Sequence, residues 1–383
     1  MAKKERCRAR RSVWLVGEQL ETLTDVGSRG LSLEVAGVVR RLPAAWLRLH
    51  CPCDECMLPA LGERRVRLGP ADDQTIANAH LVGDSLIVEW VSGHRSDYSA
   101  ELLASLVAAP HRRMTEPVLW RSDHEPTIAV ASEVLNDEAA RLSALHALRD
   151  FGVLRVRGLD VDDEATIRFL RDLRLPIWEG PFGVTVDALL VDEPFNVSES
   201  AEELPLHTDL AGYAWPPSGQ FLHMLCNEAT GGDSIVVDGF SVLDDLRQDL
   251  PDAFAVLAEV EVAHRLHSPD RETYGSAPLI RLGLDGAVVG VRFSNQTLEP
   301  LPLDEPRISE WYDAYSELTT RLHDDRYAVR FRLDAGDAYL VHSHRVLHAR
   351  TAFDAAGARH LRDAYFEFDN VLGLIDLLEG VAR

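Results

Sequence analysis

Apolar and polar positions follow two periods along this chain, and the change between them divides it. Residues 31–49 (LSLEVAGVVRRLPAAWLRL) alternate early, as a half-buried strand does, then turn helical around 43–49. Residues 85–91 (SLIVEWV) read as a strand that leads into Gly93-His94 and a helical run through Leu102 and Leu106. Periodicity lapses over 109–127 (APHRRMTEPVLWRSDHEPT), where three prolines fall. This predicts a tail at 1–25, a first domain at 26–110, a linker at 111–127 and a second domain at 128–383. Beyond the linker, 133–152 has helical spacing with Asn136 or Asp137 as its cap, 153–156 is a short strand, and 162–174 is an amphipathic helix. From Phe182 onward short apolar runs (FLHMLC, SIVVDGF, AVVGVRF, AVRFRLDAGDAYLVH, LRDAYFEFD) alternate with Gly, Pro and Asp, with helical inserts at 242–259 and 306–323. Many short strands and few helices predict an α+β, mostly β fold of the sandwich or jelly-roll kind, not a doubly wound sheet.

Composition narrows the picture. The 383 residues carry 39 Lys+Arg against 62 Asp+Glu, a formal charge of −23. A surface of that sign repels phosphate, so neither nucleic acid nor an anionic membrane is an expected partner. No run reaches the eighteen or so apolar residues that a membrane span needs. The basic start, MAKKERCRARRS, has no apolar segment behind it and reads as a solvated tail of a cytoplasmic protein. The five cysteines, Cys7, Cys51, Cys53, Cys56 and Cys226, are odd in number, and three fall within six positions. That is a poor disulfide framework and a good metal loop in a reducing compartment.

Cys51, Cys53 and Cys56 put three thiolates on one loop, a donor set suited to Zn2+. A closed structural site takes a fourth ligand from elsewhere. His94, in its Gly-His turn after a strand, is the natural candidate, with His50, His80 and Cys7 as competitors. No general base accompanies the loop, so a structural zinc is expected. Far along the chain, His207-Thr208-Asp209 offers an imidazole and a carboxylate to one ion from the same face of a strand. A second histidine, from His342, His344 or His348 in VHSHRVLHAR, would complete the facial triad of non-haem Fe(II).

Four motifs in order, LPLHTD, TGGDSIVVDGF, RVLHART and RHLRDAY, give the chain a resemblance to the γ-butyrobetaine/trimethyllysine hydroxylase branch of the TauD/TfdA-type 2-oxoglutarate dioxygenases. The HCPCDEC loop with EWVSGHRSDYSAELL resembles the small N-terminal zinc domain of that branch. The resemblance implies a double-stranded β-helix catalytic domain and Fe(II) with 2-oxoglutarate as cosubstrate. By position it implies His207, Asp209 and His348 as iron ligands. Arg359 stands where the family binds the distal carboxylate of 2-oxoglutarate, with Arg362 as runner-up, and a bidentate guanidinium suits that task. Ser234 matches the assisting hydroxyl, and Asn295 is a further candidate there. The pattern departs at Ala349, where the family has glycine, and at His342-Ser343, which replace its Asp-Asn pair.

The same resemblance implies an aromatic cage for a quaternary ammonium. With Asn196-Val197 on the family's Asn-aliphatic pair, the cage positions are Phe182, Val186, Glu199 and Tyr365, so two of four rings are absent. The expectation is a different substrate, an amine or amino acid of specialised metabolism, with Glu199 pairing to N–H groups and Tyr213 and Trp215 walling the pocket. The expected partners are a small molecule and O2, and a homodimer is implied by the family. Two other readings stand beside this one: a γ-butyrobetaine- or trimethyllysine-type hydroxylase with a reduced cage, and a non-catalytic, zinc-dependent interaction protein.

Overall fold

The computed structural model describes residues 20, 22–35, 38–58, 60–69, 71–108, 116–268 and 271–380. Cys7 and the basic start lie outside the described residues. The chain divides into two compact units, Met1–Arg113 and Met114–Arg383.

In the first unit the alternating segment is two strands rather than one. Gly30–Val35 pairs antiparallel with Val38–Pro43, and Thr22–Gly27 pairs on the other edge. The helix Ala44–Leu49 follows at once, because Pro43 holds a φ of −64° that suits the residue before a helix. A second antiparallel sheet runs Ile76–Val82, Ser85–Trp90 and Arg95–Ser99. Leu31, Leu47, Leu86, Val88, Trp90 and Tyr98 bury one core between these elements. The turn into Arg95 needs Gly93 at a φ of +87°, a conformation that favours glycine, and it sets His94 at the tip.

The second unit is built on two facing sheets. We number its principal strands β1 (Val153–Arg157), β2 (Val186–Leu189), β3 (Leu204–His207), β4 (Gly219–Asn227), β5 (Ser234–Asp238), β6 (Ala328–Phe331), β7 (Ala338–His342), β8 (Val346–Arg350) and β9 (Arg359–Phe366). The larger sheet has the order Ile177–Trp178, β9, β4, β7, β1, Ile128–Val130, with β2 also on β9. The smaller has the order β3, β8, β5, β6. This is the double-stranded β-helix that the resemblance implies, mostly β in content. Val153, Leu222, Met224, Val236, Tyr339 and Val346 pack between the sheets. Helices close both outer faces: Glu138–Phe151, Ala165–Asp172 and Phe368–Leu378 cover the larger sheet, and Gly239–Asp249, Pro251–Glu259 and Ile308–Leu322 the smaller.

The helix expected over 133–152 is two, Ala131–Asn136 and Glu138–Phe151. Asp137 is extended and caps the second, accepting from the Ala139 amide at 2.9 Å. The stretch expected as linker is not free where it is described. Trp120 is buried in the core between the sheets, and Ser122 N donates to Arg326 O at 2.9 Å. Its prolines break periodicity without releasing it from packing.

Candidate active site and metal clusters

In the first unit Cys51, Cys53, Cys56 and His94 converge, their donor atoms within 4.8 Å of one another. The His94 Nε2 lies 3.3, 3.7 and 3.6 Å from the sulfurs of Cys51, Cys53 and Cys56. Donors of a tetrahedral zinc with ordinary Zn–S and Zn–N bonds stand about 3.6 Å apart, so the group has the size of a zinc site. Arg48 donates to the Cys56 sulfur at 2.9 Å, and Glu55 lies 3.5 Å from His94 Nδ1 and orients the ring. Burial pushes the Cys51 thiol up to about 12, whereas the neighbouring thiols and backbone amides hold that of Cys53 down despite its own burial. A cation would offset the burial of such thiolates. Among the competitors, the His50 ring donates to Trp46 O and His80 is exposed on its strand. Cys226, expected in a core strand, is on β4 but only half-buried.

The second group lies on the smaller sheet. β3 and β8 pair with His207 opposite His348, and β8 pairs with β5 with His348 opposite Val236. The Asp209 Oδ1 is 3.0 Å from His207 Nε2 and 3.9 Å from His348 Nε2, with the two imidazole centroids 4.3 Å apart. Donors about 2.1 Å from one ion and at right angles stand about 3.0 Å apart, so the three residues fit one face of an octahedron. Each donor is held. The His207 Nδ1–H donates to Pro205 O at 2.8 Å, leaving Nε2 as the free lone pair. The Asp209 Oδ2 accepts from Gln220 Nε2 at 2.5 Å and from the Tyr365 hydroxyl at 2.7 Å, turning Oδ1 toward the imidazoles. Burial pushes His348 down to about 4, with the nearby His207 acting in the same sense. Although burial opposes it, the two histidines hold Asp209 well below the usual carboxylate range. A neutral imidazole and an ionised carboxylate are the forms that ligate a metal. The other two histidines of the motif are elsewhere: His342 stacks on Phe368, and His344 Nε2 donates to Pro216 O at 2.9 Å.

This group opens on a cavity of about 410 Å3 between the sheets. Arg359, Ser234, Phe182, Val186, Asn196, Glu199 and Tyr365 all line it. Arg359 is buried, its Nε has no protein partner, and its guanidinium lies 5.2 Å from the Phe353 ring. It fits because Gly232, at a φ of +73°, has no side chain: a Cβ there would come within 3.1 Å of Arg359 Nε. A buried guanidinium with unmet donors, beside Ser234, is what an entering carboxylate needs. Arg362 instead grips Asp187, at 2.6 Å.

Three expectations are corrected. Asn295 is exposed and accepts from the Tyr315 hydroxyl, whereas Ser294, Gln296 and Thr297 around it line the cavity. Tyr213 is outside the wall, edge-on to Trp178 at 5.9 Å, and Trp178 in turn abuts Tyr365. Trp215 is exposed beneath the Arg281 guanidinium, beside a different cavity. Of four further lining or supporting residues, Arg350 and Asp363 fall inside the RVLHART and RHLRDAY motifs, whereas Gln220 and Tyr339 fall in none. Strand alternation marks the inward ones: on β9, Arg359, Leu361, Asp363 and Tyr365 face the cavity, while Ala364 and Phe366 face the helical core.

Residues 121–365 match the family described as Taurine catabolism dioxygenase TauD, TfdA family. The chain belongs to that family. Its residues 25–104 match a second model, Gamma-butyrobetaine hydroxylase-like, N-terminal. Over 348 residues it is 32% identical to the gamma-butyrobetaine dioxygenase of Pseudomonas sp. (strain AK-1), covering 87% of this chain and 89% of that one. It is 25% identical over 368 residues to the mitochondrial trimethyllysine dioxygenase of Gallus gallus, covering 91% and 86%. In fold it is similar to the crystal structure of a putative alpha-ketoglutarate-dependent taurine dioxygenase from Burkholderia xenovorans. That likeness has a TM-score of 0.50 at 18% identity, over 66% of this chain and 91% of that one. This TauD-family chain is therefore an enzyme, a dioxygenase of the Fe(II)/2-oxoglutarate class.

Proposed function

We propose that this dioxygenase hydroxylates, or otherwise oxidises, an unactivated C–H of a small amine- or amino-acid-like metabolite. In this reading His207, Asp209 and His348 hold Fe(II), Arg359 and Ser234 hold the distal carboxylate of 2-oxoglutarate, and Cys51, Cys53, Cys56 and His94 hold a structural zinc. The observation that carries it is the convergence of the His–Asp–His group and an unpaired, buried arginine on one cavity. When bound, iron and 2-oxoglutarate supply the oxidising power, and the protein supplies position. Gln220 and Tyr365 fix the Asp209 rotamer, Pro205 fixes the His207 tautomer, and Leu222 and Leu361 give the cavity apolar walls that exclude water.

The substrate class follows from the wall. Val186 and Glu199 stand where the branch places rings, and both line the cavity. Carboxylates recognise N–H cations, whereas ring faces recognise quaternary ones. Phe182 and Tyr365 still present two rings, which is the one feature that favours a reduced cage for γ-butyrobetaine or trimethyllysine. Incubation with Fe(II), 2-oxoglutarate and a panel of amines and amino acids separates the readings. The expected result is 2-oxoglutarate consumption coupled to a product mass change of one oxygen or two hydrogens. Efficient γ-butyrobetaine hydroxylation overturns the substrate class, and absence of any iron-dependent 2-oxoglutarate decay overturns the site assignment.

We read the enzyme as a cytoplasmic homodimer that contacts neither nucleic acid nor membrane. The acidic composition and the free thiols support the reading of compartment and partners; among the described residues no helix is long and apolar enough to cross a membrane. Light scattering on the purified chain tests the dimer.

A further inference from the structure

Asp363 is a cavity carboxyl that neither metal ligation nor 2-oxoglutarate accounts for. Asp363 is on the inward face of β9. Register fixes its surroundings: it stands directly opposite Val186 on β2 and Leu222 on β4, and two positions along its own strand are Leu361 and Tyr365. Opposed residues on paired strands hold their Cβ atoms about 5 Å apart, so this carboxyl emerges within an apolar collar. Its one hydrogen bond among the described residues is a long one, Oδ2 accepting from Gln220 Nε2 at 3.4 Å, and Oδ1 is buried with no partner among them.

Among the described residues Asp363 forms no ion pair, although the Arg359 charge acts on its carboxyl. Arg359, four residues along the strand and so about 13 Å away at Cα, is not within ion-pair distance of Asp363, and Arg362 is paired to Asp187 at 2.6 Å. Arg265, also on the cavity wall, is committed to Glu272 at 2.5 Å. Burial, with Asp209 and Asp187 nearby, pushes its carboxyl well above the usual range against the opposing effects of Gln220 and Arg359. Asp363 is half-buried with its Oδ1 enclosed, and a carboxyl oxygen enclosed among apolar side chains is disfavoured unless something pairs with it. The cavity that Asp363 lines gives such a partner access to it.

We infer that Asp363 is the anchor for an N–H-bearing cation of the substrate, an ammonium or guanidinium group, held beside the metal group in the space that Val186 leaves open. This rests on the reading of the site as an amine oxygenase and deepens it. A quaternary ammonium has no N–H and could not satisfy the Asp363 oxygen. A primary amine or guanidinium satisfies Asp363 and lets Glu199, on the same cavity, bind a second N–H. Asp363 is thus a specificity-determining residue and takes no part in bond breaking.

Anaerobic calorimetry on the full chain loaded with Fe(II) and 2-oxoglutarate tests this, titrating 4-aminobutyrate, L-lysine and L-arginine against γ-butyrobetaine. Wild type is expected to bind at least one N–H cation, and D363N to weaken that binding ten-fold or more, while any γ-butyrobetaine binding changes less than three-fold. E199Q serves as the milder comparison, and thermal melting checks that each variant folds. If no N–H cation binds wild type, or if D363N binds it within two-fold of wild type, the inference fails. Failure of the oxygenase reading is distinguishable, because it appears as absent heat for 2-oxoglutarate itself in wild type.

Discussion

The two metal-donor groups of this chain differ in number, access and support, and the difference sets their uses apart. The cysteine–histidine group brings four donors to tetrahedral spacing on loops of a small unit, with Cys51 and Cys56 buried. A closed tetrahedron leaves an ion nothing to do but hold the chain together. The His–Asp–His group brings three donors to one face and leaves the opposite side open to a cavity of about 410 Å3. Three donors and an open face let cosubstrate and O2 share the ion. Support differs as well. Asp209 is fixed by a glutamine and a tyrosine from the opposite sheet, so the two sheets jointly set the geometry. The thiolates rely on one arginine and on local turn amides.

Removal of a donor tests the contrast most severely. D209A or H348A is expected to abolish iron binding and lower 2-oxoglutarate turnover at least 10^3-fold, with zinc content unchanged by elemental analysis. C56S is expected to do the reverse. It should halve the total metal, cut the thermal stability of the first unit by several kcal/mol, and lower turnover less than ten-fold. If C56S removes activity as completely as D209A does, the division of labour is wrong. R359A addresses the cosubstrate end of the open site. It should raise KM for 2-oxoglutarate by 10–100-fold, with a smaller fall in kcat, because a two-point carboxylate clamp is lost.

A gentler difference lies in acid sensitivity. His264 is fully buried in the second unit, neither ring nitrogen has a partner, and burial pushes it down to about 4. Its folded value lies below its unfolded value of 6.5, so the unfolded chain takes up the proton first. Stability is therefore complete above pH 6.5 and is lost as pH falls toward 4, by up to about 3 kcal/mol for this residue. Chemical denaturation of H264N across that range should show a flatter pH dependence than wild type. An unchanged slope would assign the loss elsewhere.

How much of this was legible in the sequence depended on how local each signal is. Clustered donors set by tight spacing, such as Cys51-x-Cys53 and His207-x-Asp209, are readable because a turn or strand fixes their relation at once. His94 was readable through a glycine turn. Choosing His348 over His342 and His344 needed a whole motif, since nothing local distinguishes three histidines on neighbouring positions. The jelly-roll class was legible from short apolar runs, but the pairing of β9 with both β2 and β4 was not, and that pairing gives Asp363 its neighbours. Asn295, Tyr213 and Trp215 misled because their loops bend. One residue along, Ser294 and Gln296 face the cavity, and a loop carries no alternation that would have marked the change.

The buried pair of Arg345 and Asp238, at 2.8 Å, bears on where an independently folding catalytic fragment begins. Arg345 also donates to the carbonyls of Val118 and Asp150, and Asp238 accepts from the Trp120 amide at 3.1 Å. A fragment started at Ile128, where the first strand of the sheet begins, would strip two of those partners and the Trp120 indole from a fully enclosed ion pair. Cloning boundaries, domain swaps and protease-trimmed crystals should keep the chain from Glu116 onward. The segment before the first strand serves as the seal of the barrel, and a graft that omits it inherits an unsatisfied charge at its centre.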